Sequence, residues 1–458
     1  MLLHLFQPAF AASLLACLVV SAAANEVTPN AFFAVDPIFN SRTYIEHWGD
    51  PADPPVVLVH GLGDNGARDW RHLAPVLAEN FYVIAFDLPG FGRSEKFNAL
   101  YTPDTYTRFL DWIANQYVKR PFALIGHSMG GAIALNFASA HSQRLTRLIL
   151  IDAAGVLHRT AFTKHLINEV RLPGDNDNAS GENLAALNAL LGFSLEDIDR
   201  YSSSIDAVLL SPLVRGTLLG GDPRMIAGLG LVQHNFSGRL RQVTVPTLVI
   251  WGAEDNVAPL RTGRLLAHRL PEARLEIIEG VGHMPMYQSA QRLNQLVLDE
   301  LNDATDRDPG RPQKQVFANT AESESCDGES NRYISGRYTR VNIVNCKRVL
   351  IEDSKIGWLV IRNSSVEILT SEIAGDEVAM EVHDSVLVAT AADFTAERPI
   401  FVSGSRLDLA GVKIMAGEEP FQVDTRSTVL FSVSHVRTPE YARFVHGVFN
   451  LSPDANPF

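Results

Sequence analysis

Residues 122–138 read FALIGHSMGGAIALNFA, and this stretch decides the fold of the first half of the chain. Its first four apolar residues predict a buried strand that enters a turn, and the run after Gly130 predicts a helix that leaves it. Between them, Ser128 lies in a Gly-X-Ser-X-Gly pattern. A nucleophile on so sharp a turn requires small flanking residues, because bulk would prevent the turn from holding Oγ clear of the sheet. The pattern therefore indicates Ser128 as a nucleophile.

Two further motifs follow in the order that a serine, acid and histidine set requires. Asp255 lies in WGAEDNVAP at residues 251–259, and His283 ends GVGH at residues 280–283. A serine hydroxyl is a weak nucleophile at neutral pH, so a neutral imidazole must take its proton during attack. We expect His283 to be this base and Asp255 to fix its tautomer and stabilise the imidazolium.

Two loops upstream also follow predicted strands. Residues 55–59, PVVLV, predict a strand that runs into HGLG at residues 60–63, and FDLPGFGRS at residues 86–94 places a second loop after a strand. Backbone N–H groups in the first loop could face the carbonyl oxygen that gains negative charge during the reaction. This loop is therefore predicted to form an oxyanion hole.

With these five motifs in their order along the chain, residues 40–303 resemble the α/β-hydrolase family of serine hydrolases. The resemblance implies an α/β core with a helical cap, and it implies no cofactor. Its site residues, carried over by position, are the nucleophile Ser128, the acid Asp255, the base His283, and the oxyanion donors Leu62 and Met129 through their backbone N–H groups.

One alternative acid remains. Asp152 also ends a predicted strand, and some members of the family place the acid there. We prefer Asp255, because the turn predicted at residues 252–259 would direct a short acidic side chain away from the end of a strand. Three nearby polar residues are expected to be structural: His127, packed or hydrogen-bonded with its side chain directed away from the pocket, Asp87, which organises its loop, and His60, which braces the oxyanion loop.

Composition limits the function classes. A length of 458 residues suggests two or three domains, and 46% hydrophobic residues suffice for packed cores. The 39 Lys and Arg against 52 Asp and Glu give a net charge of -13, which argues against electrostatic capture of nucleic acid or anionic lipid. The sequence shows no cluster of metal ligands and no nucleotide loop, so we expect neither a metal nor a cofactor.

The N-terminus is predicted to be a targeting segment. Residues 2–24 are almost wholly apolar and end in small residues, which indicates a secretory signal peptide over residues 1–24. Two alternatives remain: a lipid anchor on Cys17, which lies in a lipoprotein-like LLAC box, and a retained membrane anchor of about 23 residues. We expect an exported protein, periplasmic or extracellular, with membrane attachment only under these alternatives.

Cysteine usage agrees with export. After removal of the signal only Cys326 and Cys346 remain, an even number in a compartment where disulfides persist. We predict that they pair; two unrelated thiols are the alternative.

A long insertion interrupts the predicted core at about residues 156–243, the usual cap position of the family. A cap over the elbow would exclude water and shape the pocket. Helical stretches are predicted at 184–191 and 225–231. Its apolar residues are expected to line the pocket or to form the cap core: Phe162, Phe193, Leu209, Leu210 and Phe236.

The chain changes character after residue 303. Residues 25–303 are predicted to be the hydrolase domain, residues 304–330 a solvated linker with little apolar content, and residues 331–458 an all-β domain. In the last segment apolar triplets recur, and their first members, separated by 17, 21, 20 and 22 residues, are Val349, Val366, Leu387, Leu407 and Val429. Such a period predicts a solenoid, in which each coil buries its apolar residues against its neighbours. The segment resembles a right-handed parallel β-helix.

The disulfide would hold the first coil, an edge that otherwise invites strand pairing, and residues 439–458 are expected to cap the other end. This domain is expected either to bind a glycan or an envelope partner along a flat face, or to stabilise the enzyme.

The leading functional hypothesis is an exported serine hydrolase that cleaves a small carboxylic ester or other acyl substrate through an acyl-enzyme. Amide hydrolysis, C–C bond hydrolysis and acyl transfer are compatible with the same three residues. The alternative from another class is a surface-binding protein that retains the hydrolase scaffold without catalysis.

Overall fold

The structure, a computed structural model, describes residues 28–158, 161, 209–302 and 320–449. In this part of the chain no helix has the length and apolar character needed to cross a membrane. Several predictions fall outside the described residues: the signal peptide with Cys17, the helix at 184–191, Phe162, Phe193 and the last residues of the expected end cap.

The N-terminal domain is built on a sheet of eight strands. In chain order they are β1 (Asn30–Asp36), β2 (Ser41–Trp48), β3 (Pro55–Val59), β4 (Tyr82–Phe86), β5 (Phe122–His127), β6 (Leu145–Ile151), β7 (Thr247–Gly252) and β8 (Ala273–Ile278). Their order across the sheet is β1-β2-β4-β3-β5-β6-β7-β8. β1, β2 and β4 pair antiparallel, and the pairs from β4 through β8 are parallel. Strands β3, β5 and β7 are buried at every residue, as continuous apolar runs predict for a sheet covered on both faces.

Helices cover this sheet. Those with described bounds are α1 (Ala74–Leu77), α2 (Pro103–Ile113), α3 (Met129–His141), α4 (Pro212–Leu218), α5 (Pro223–Gln233), α6 (Leu260–Arg269), α7 (Pro285–Gln288) and α8 (Ala290–Asn302). Short 3-10 or π turns occur at Gly66–Trp70, Ala114–Val118, Ser142–Arg144 and Leu240–Gln242. One apolar cluster includes α2 and α3, and another includes α8. The predicted α/β-hydrolase core is confirmed.

Helices α4 and α5 lie in the insertion between β6 and β7. The helix predicted at 225–231 lies inside α5. Leu209 and Phe236 are buried in the core of the domain, as expected for cap residues, whereas Leu210 is exposed to solvent. Both described helices begin with proline at N1 after a residue whose side chain accepts a hydrogen bond from the first turn, Ser211 before α4 and Asp222 before α5.

The C-terminal domain is an all-β coil. Its strands are β9 (Thr320–Asp327), β10 (Tyr333–Ile334), β11 (Arg337–Val344), β12 (Val349–Glu352), β13 (Lys355–Arg362), β14 (Ser365–Leu369), β15 (Glu372–Ala374), β16 (Met380–His383), β17 (Val386–Thr390), β18 (Asp393–Ala396), β19 (Ile400–Ser403), β20 (Arg406–Ala410), β21 (Lys413–Ala416), β22 (Phe421–Val423), β23 (Thr428–Arg437) and β24 (Ala442–Phe449). Three parallel ladders run along it: β10-β12-β14-β17-β20-β23, β13-β15-β18-β21-β23 and β9-β11-β13-β16-β19-β22. Such an arrangement is a parallel β-helix, as predicted.

The repeat predicted from the sequence is the register of these ladders. The first members of the triplets align in one column of the first ladder: Val349, Val366, Leu387, Leu407 and Val429. All five are buried. Strand β24 then pairs antiparallel with β23, so residues 442–449 end the parallel stack.

The expected linker at 304–330 is partly wrong. Strand β9 begins at Thr320 and pairs in parallel with β11, so the β-helix starts inside that segment. Strand β9 is an edge strand, and among its residues 321–327 only Cys326 is buried, while acidic residues such as Glu322 face solvent. An edge strand with one buried residue carries no apolar alternation, and the sequence pattern therefore missed it. The predicted disulfide Cys326–Cys346 is confirmed and joins β9 to the turn after β11.

A ladder of buried serines lines one corner of the β-helix. The backbone N–H of Ser364 donates to Oγ of Ser385 in the next coil. In the same way Ser385 donates to Ser405, and Ser405 donates to Ser427, and each of the three N···O distances is 3.0 Å. Three of the four corner serines, Ser364, Ser385 and Ser405, follow a residue in a left-handed backbone conformation, namely Asn363, Asp384 and Gly404. Asn, Asp and Gly tolerate this conformation best, which explains the polar turns between the repeats.

One face of the β-helix is covered by the hydrolase domain through α6. Arg261 forms a bidentate ion pair with Asp408 at 3.0 and 3.1 Å, and its Nε donates to Oγ1 of Thr390 at 3.1 Å. Both charged side chains are buried. At the edges of this contact, Arg264 pairs with Glu352 at 2.7 Å. The two domains therefore share a polar, desolvated interface.

The same interface is apolar at its centre. Ala410, Leu430 and Val433 of the β-helix belong to the hydrophobic cluster that contains Leu265 and Leu266 of α6. Val433 lies in a bulge of β23 with a φ of 49°, a conformation that is costly for a β-branched residue and persists here because the side chain is buried between the domains.

A second contact reaches the start of the cap. The backbone N–H of His158 donates to Oγ of Ser432 at 3.0 Å, and the rings of His158 and His446 lie 4.8 Å apart. Burial lowers the pKa of His446 to about 3, with a smaller contribution from the charge of His158. The β-helix thus contacts both α6 and the segment that leads from β6 into the cap.

Candidate active site

The elbow between β5 and α3 holds Ser128 in a left-handed conformation with a φ of 52°. A Cβ on Gly126 would lie 2.3 Å from the carbonyl oxygen of Gly130, and a Cβ on Gly130 would lie 2.2 Å from the carbonyl oxygen of Val59. Real Cβ atoms do not approach backbone so closely, so both positions require glycine. The steric argument made from the sequence motif therefore describes the observed packing.

The structure brings Ser128, His283 and Asp255 together in one hydrogen-bonded chain. Nε2 of His283 lies 2.9 Å from Oγ of Ser128, and Nδ1 lies 2.7 Å from Oδ2 of Asp255. Because a carboxylate only accepts, Nδ1 carries the proton and Nε2 is free to accept the serine proton. The residues lie up to 155 positions apart in the sequence.

Asp255 is held by its own turn. Its Oδ1 accepts the backbone N–H groups of Val257 and Ala258 at 2.7 and 2.9 Å, so both carboxylate oxygens have donors. Trp251 closes the turn by donating Nε1–H to the carbonyl oxygen of Ala258 at 2.9 Å. The turn that the sequence predicted thus aims Oδ2 at the imidazole.

The predicted oxyanion loop lies against the nucleophile. A Cβ on Gly61 would lie 2.9 Å from Cβ of Ser128, which places the next backbone N–H, that of Leu62, beside the reaction centre. Met129 is the first residue of α3, and the N–H groups of a first helical turn have no acceptor within their own helix. The two N–H groups named from the sequence therefore flank Ser128, and their catalytic role remains a prediction.

The loop is braced as expected. His60 donates Nδ1–H to the carbonyl oxygen of Gly61 at 2.6 Å and accepts the N–H of Leu88 on Nε2 at 2.8 Å. Burial lowers the pKa of His60, so it is neutral and can do both. It ties the loop after β3 to the loop after β4.

Asp87 organises the loop after β4, also as expected. It accepts the backbone N–H groups of Ala67 and Arg93 at 2.7 and 2.6 Å, and the guanidinium of Arg93 at 2.8 Å. Burial opposes ionisation of Asp87, but the hydrogen bonds from Arg93 and Ala67 outweigh it and hold the pKa of this carboxyl below its usual value.

His127 is hydrogen-bonded, as expected, but its side chain does not point away from the site. Its Nε2–H donates to the carbonyl oxygen of His283 at 2.8 Å, and the two rings lie 5.0 Å apart. Burial, together with the charge of His283, lowers the pKa of His127 to about 4, so it is neutral. The residue before the nucleophile thus anchors the loop that carries the base, a contact that no sequence signal indicated.

Asp152 lies beside these three residues, but Nδ1 of His283 bonds to Asp255 and not to Asp152. One oxygen or nitrogen each of His127, Asp152 and His283 lie within 4.8 Å of one another. This set does not constitute a metal site, since both ring nitrogens of His283 are engaged by Ser128 and Asp255. The preference for Asp255 over Asp152 as the partner of His283 agrees with the geometry.

Comparison with known proteins places the site in a family. A model of the alpha/beta hydrolase fold matches residues 54–290. The chain is 30% identical over 269 residues, covering 55% of this chain and 85% of the relative, to a 2-hydroxy-6-oxo-6-(2'-aminophenyl)hexa-2,4-dienoic acid hydrolase of Metapseudomonas resinovorans. It is 28% identical over 252 residues, 54% of this chain and 86% of the relative, to a 2-hydroxy-6-oxononadienedioate/2-hydroxy-6-oxononatrienedioate hydrolase of Cupriavidus pinatubonensis.

Among solved structures, a thermophilic esterase from Thermogutta terrifontis is 24% identical, with a TM-score of 0.45 over 60% of this chain and all of the esterase. The family model covers more than half of the chain, from the strand before the oxyanion loop to the start of α8, and it includes all three residues of the hydrogen-bonded chain. The protein therefore belongs to the α/β-hydrolase family.

Proposed function

We propose that the protein is a serine hydrolase that cleaves a carboxylic ester through an acyl-enzyme. The observation that supports this most directly is the continuous chain from Oγ of Ser128 through His283 to Asp255, with both distances under 3 Å. Burying polar groups costs free energy unless they are paired, so apolar side chains would serve stability at least as well in this place. The hydrogen-bonded chain therefore indicates a catalytic purpose and not a structural one.

The reaction follows from the protonation states. His283 takes the proton of Ser128 as Oγ forms a bond to the substrate carbonyl carbon, and Asp255 stabilises the resulting imidazolium. The N–H groups of Leu62 and Met129 donate to the oxyanion. His283 then gives the proton to the leaving alcohol, which leaves an acyl group on Ser128. Water, with its proton taken by the same imidazole, cleaves the acyl-enzyme and regenerates the serine.

A fluorophosphonate probe tests this directly. We expect the purified protein to be labelled and the Ser128→Ala variant to be unlabelled, with turnover of p-nitrophenyl esters reduced about 10⁴-fold or more. Ser139 provides a matched control, because it is a buried serine of α3 whose Oγ donates to a backbone carbonyl, so Ser139→Ala should still be labelled. Absence of labelling in the unaltered protein would favour a scaffold that binds without catalysis.

C–C bond hydrolysis is the second candidate, supported by the names of the two relatives above, which are hydrolases of hydroxy-oxo-dienoic acids. The same triad can attack a ketone carbonyl. A panel that sets p-nitrophenyl esters of increasing acyl length against a coloured 2-hydroxy-6-oxo-dienoate separates the two. Turnover of the dienoate with no turnover of esters would reject the ester proposal.

We further propose that the protein is exported and that the β-helix stabilises the hydrolase domain. The disulfide Cys326–Cys346 is compatible with export. The face of the β-helix that covers α6 is occupied within the chain, which supports a stabilising role over recognition of a glycan through that face.

A further inference from the structure

A second buried carboxyl group lies behind the triad, and the proposed reaction does not use it. Asp152 directly follows β6, is fully buried and has a left-handed φ of 45°. A non-glycine residue in this conformation is strained and persists only where its surroundings require it. Oδ1 of Asp152 accepts the backbone N–H of Gly252 at 2.8 Å, which ties the end of β6 to the end of β7.

The charged and titratable groups that face Asp152 come from three elements. They are Asp255 in the loop between β7 and α6, His283 in the loop after β8, and His127 at the end of β5. Oδ2 of Asp152 is buried and has no hydrogen-bond partner with ordinary geometry in the described part of the chain. In the same cluster Nδ1 of His127 is also buried without a partner in the described part of the chain, whereas His283 and Asp255 bond to each other.

Asp152 and Asp255 interact electrostatically in a buried site, where two carboxylates do not readily carry charge together, and the donors decide which one is charged. Asp255 receives a hydrogen bond on each oxygen from ring or backbone N–H groups, and Asp152 receives one, from Gly252. Burial in the first place, and then the negative charge of Asp255, raise the pKa of Asp152 well above its usual value. The proton of the pair therefore lies on Asp152.

We propose that Asp152 is a positioning residue of the triad, a neutral carboxyl group whose Oδ2–H donates a hydrogen bond to the carboxylate of Asp255. The proposal rests on the function proposed above. In this role Asp152 keeps a single negative charge behind His283 and fixes the rotamer of the acid. It also links the loop after β6, which leads into the cap, to the loop that carries Asp255.

The first test reads the protonation state without any activity. In the Ser128→Ala background, Asp152→Asn is compared with its parent by thermal unfolding from pH 4 to pH 8. A carboxyl that stays protonated in the fold and ionises in the unfolded chain loses its stabilising contribution as pH rises above about 4. We therefore expect the midpoint of Asp152→Asn minus that of the parent to increase steadily with pH. Parallel curves would overturn the proposal.

Asp222→Asn is the matched control, with the opposite sign. Burial of Asp222 opposes ionisation, but hydrogen bonds from Arg224 outweigh it and lower its pKa, so its charged form stabilises the fold above about pH 4. Asparagine caps a helix about as well as aspartate does. The scan of this pair is extended down to about pH 2, where the midpoint of Asp222→Asn minus that of the parent should decrease as pH rises to about 5 and stay level above it, opposite to the trend expected for Asp152→Asn.

The second test measures the dependence of kcat/KM on pH in the active enzyme. Asn can donate to Asp255 and accept from Gly252, so Asp152→Asn should lose at most about threefold and keep the midpoint of the acid limb. Leu at this position can do neither, and Asp152→Leu should lose about 10- to 100-fold through misplacement of the acid. A fall of the Asp152→Asn midpoint by about one pH unit or more would mean that Asp152 is charged.

A loss of about 10⁴-fold in Asp152→Asn would instead make Asp152 the acid. These outcomes are distinguishable from failure of the proposed function. If Ser128 is not labelled by the probe, the hydrolase proposal fails, while the unfolding experiment still reports whether Asp152 is neutral.

Discussion

The two domains use parallel strands in different ways. In the parallel ladders of the β-helix each strand pairs with an equivalent strand about 20 residues away, and one column of apolar residues repeats from coil to coil. In the hydrolase domain no strand is equivalent to another, and the side chains that matter chemically come from three different loops at strand ends. A repeated environment stabilises every position alike, whereas an unrepeated one can give a single residue its own electrostatic setting.

The difference predicts where substitutions affect chemistry and where they affect stability. In the hydrolase loops a change of one atom should alter rate at constant stability. In the β-helix a change of similar chemistry should alter neither, and removal of a repeated apolar side chain should alter stability alone.

The largest expected effect is on rate. Asp255→Asn leaves the shape of the site intact but removes the group that fixes the tautomer of His283, so kcat should fall about 10⁴-fold. The midpoint of unfolding in urea should change little, because Asn can still accept the two backbone N–H groups on Oδ1. The same substitution at Asp384, an exposed corner of the β-helix, should leave kcat unchanged. A rate loss in Asp384→Asn would break the comparison.

The next effect is on stability. Phe431 is fully buried in the β-helix, and its ring lies 5.5 Å from Phe421 and 5.8 Å from Phe449. Phe431→Ala should lower the free energy of unfolding by about 3–5 kcal/mol through lost burial and the cavity that remains. Urea unfolding measures this, and kcat at 25 °C should be unchanged.

Phe401→Ala is the control in the same domain, since Phe401 lies half-buried on the outer surface of the coil. It should cost about 1 kcal/mol or less. Equal losses in both variants would mean that the buried side chains inside the coil do not carry its stability.

A smaller effect is expected at the interface, where the two kinds of region meet. Arg261→Ala leaves Asp408 buried without its cation and should cost about 3 kcal/mol, with kcat unchanged at 25 °C. The double variant Arg261→Met with Asp408→Leu should recover most of this loss, because a packed apolar pair has no charge to desolvate.

Arg264→Ala removes the partly exposed pair with Glu352 and should cost only about 0.2–1 kcal/mol. If calorimetry of the unaltered protein showed two separate transitions, and Arg261→Ala shifted neither, the domains would be independent. The proposed stabilising role of the β-helix would then be wrong.

Many features of this molecule can be predicted from local patterns in the sequence. The elbow around Ser128 requires two glycines for steric reasons, and the five-residue motif is enough to predict it. The columns of apolar residues in the β-helix follow a regular spacing along the chain, and such a spacing is visible in the sequence because it repeats. The pairing of Cys326 with Cys346 followed from their number alone. The sequence did not predict strand β9, because an edge strand with one buried residue has no alternation of apolar and polar residues.

Other features have no local signature. The turn at 252–259 favoured Asp255 over Asp152 as the acid, but no sequence signal indicated that Asp152 would be fully buried beside the site. Likewise, nothing in the sequence of α6 distinguishes Arg261, which is buried against Asp408, from Arg264, which is partly exposed.

The sequence by itself therefore determined the class of each domain, the order of the nucleophile, acid and base, and the register of the coil. Tertiary structure alone decided that Asp152 lies buried beside His283, that His127 bonds to the carbonyl oxygen of His283, and that one face of the β-helix is closed by the hydrolase domain. The physical reason is range. Periodicity and turn sterics depend on neighbours along the chain or one repeat away, whereas burial and electrostatic environment depend on which distant, unrepeated segments the fold brings into contact.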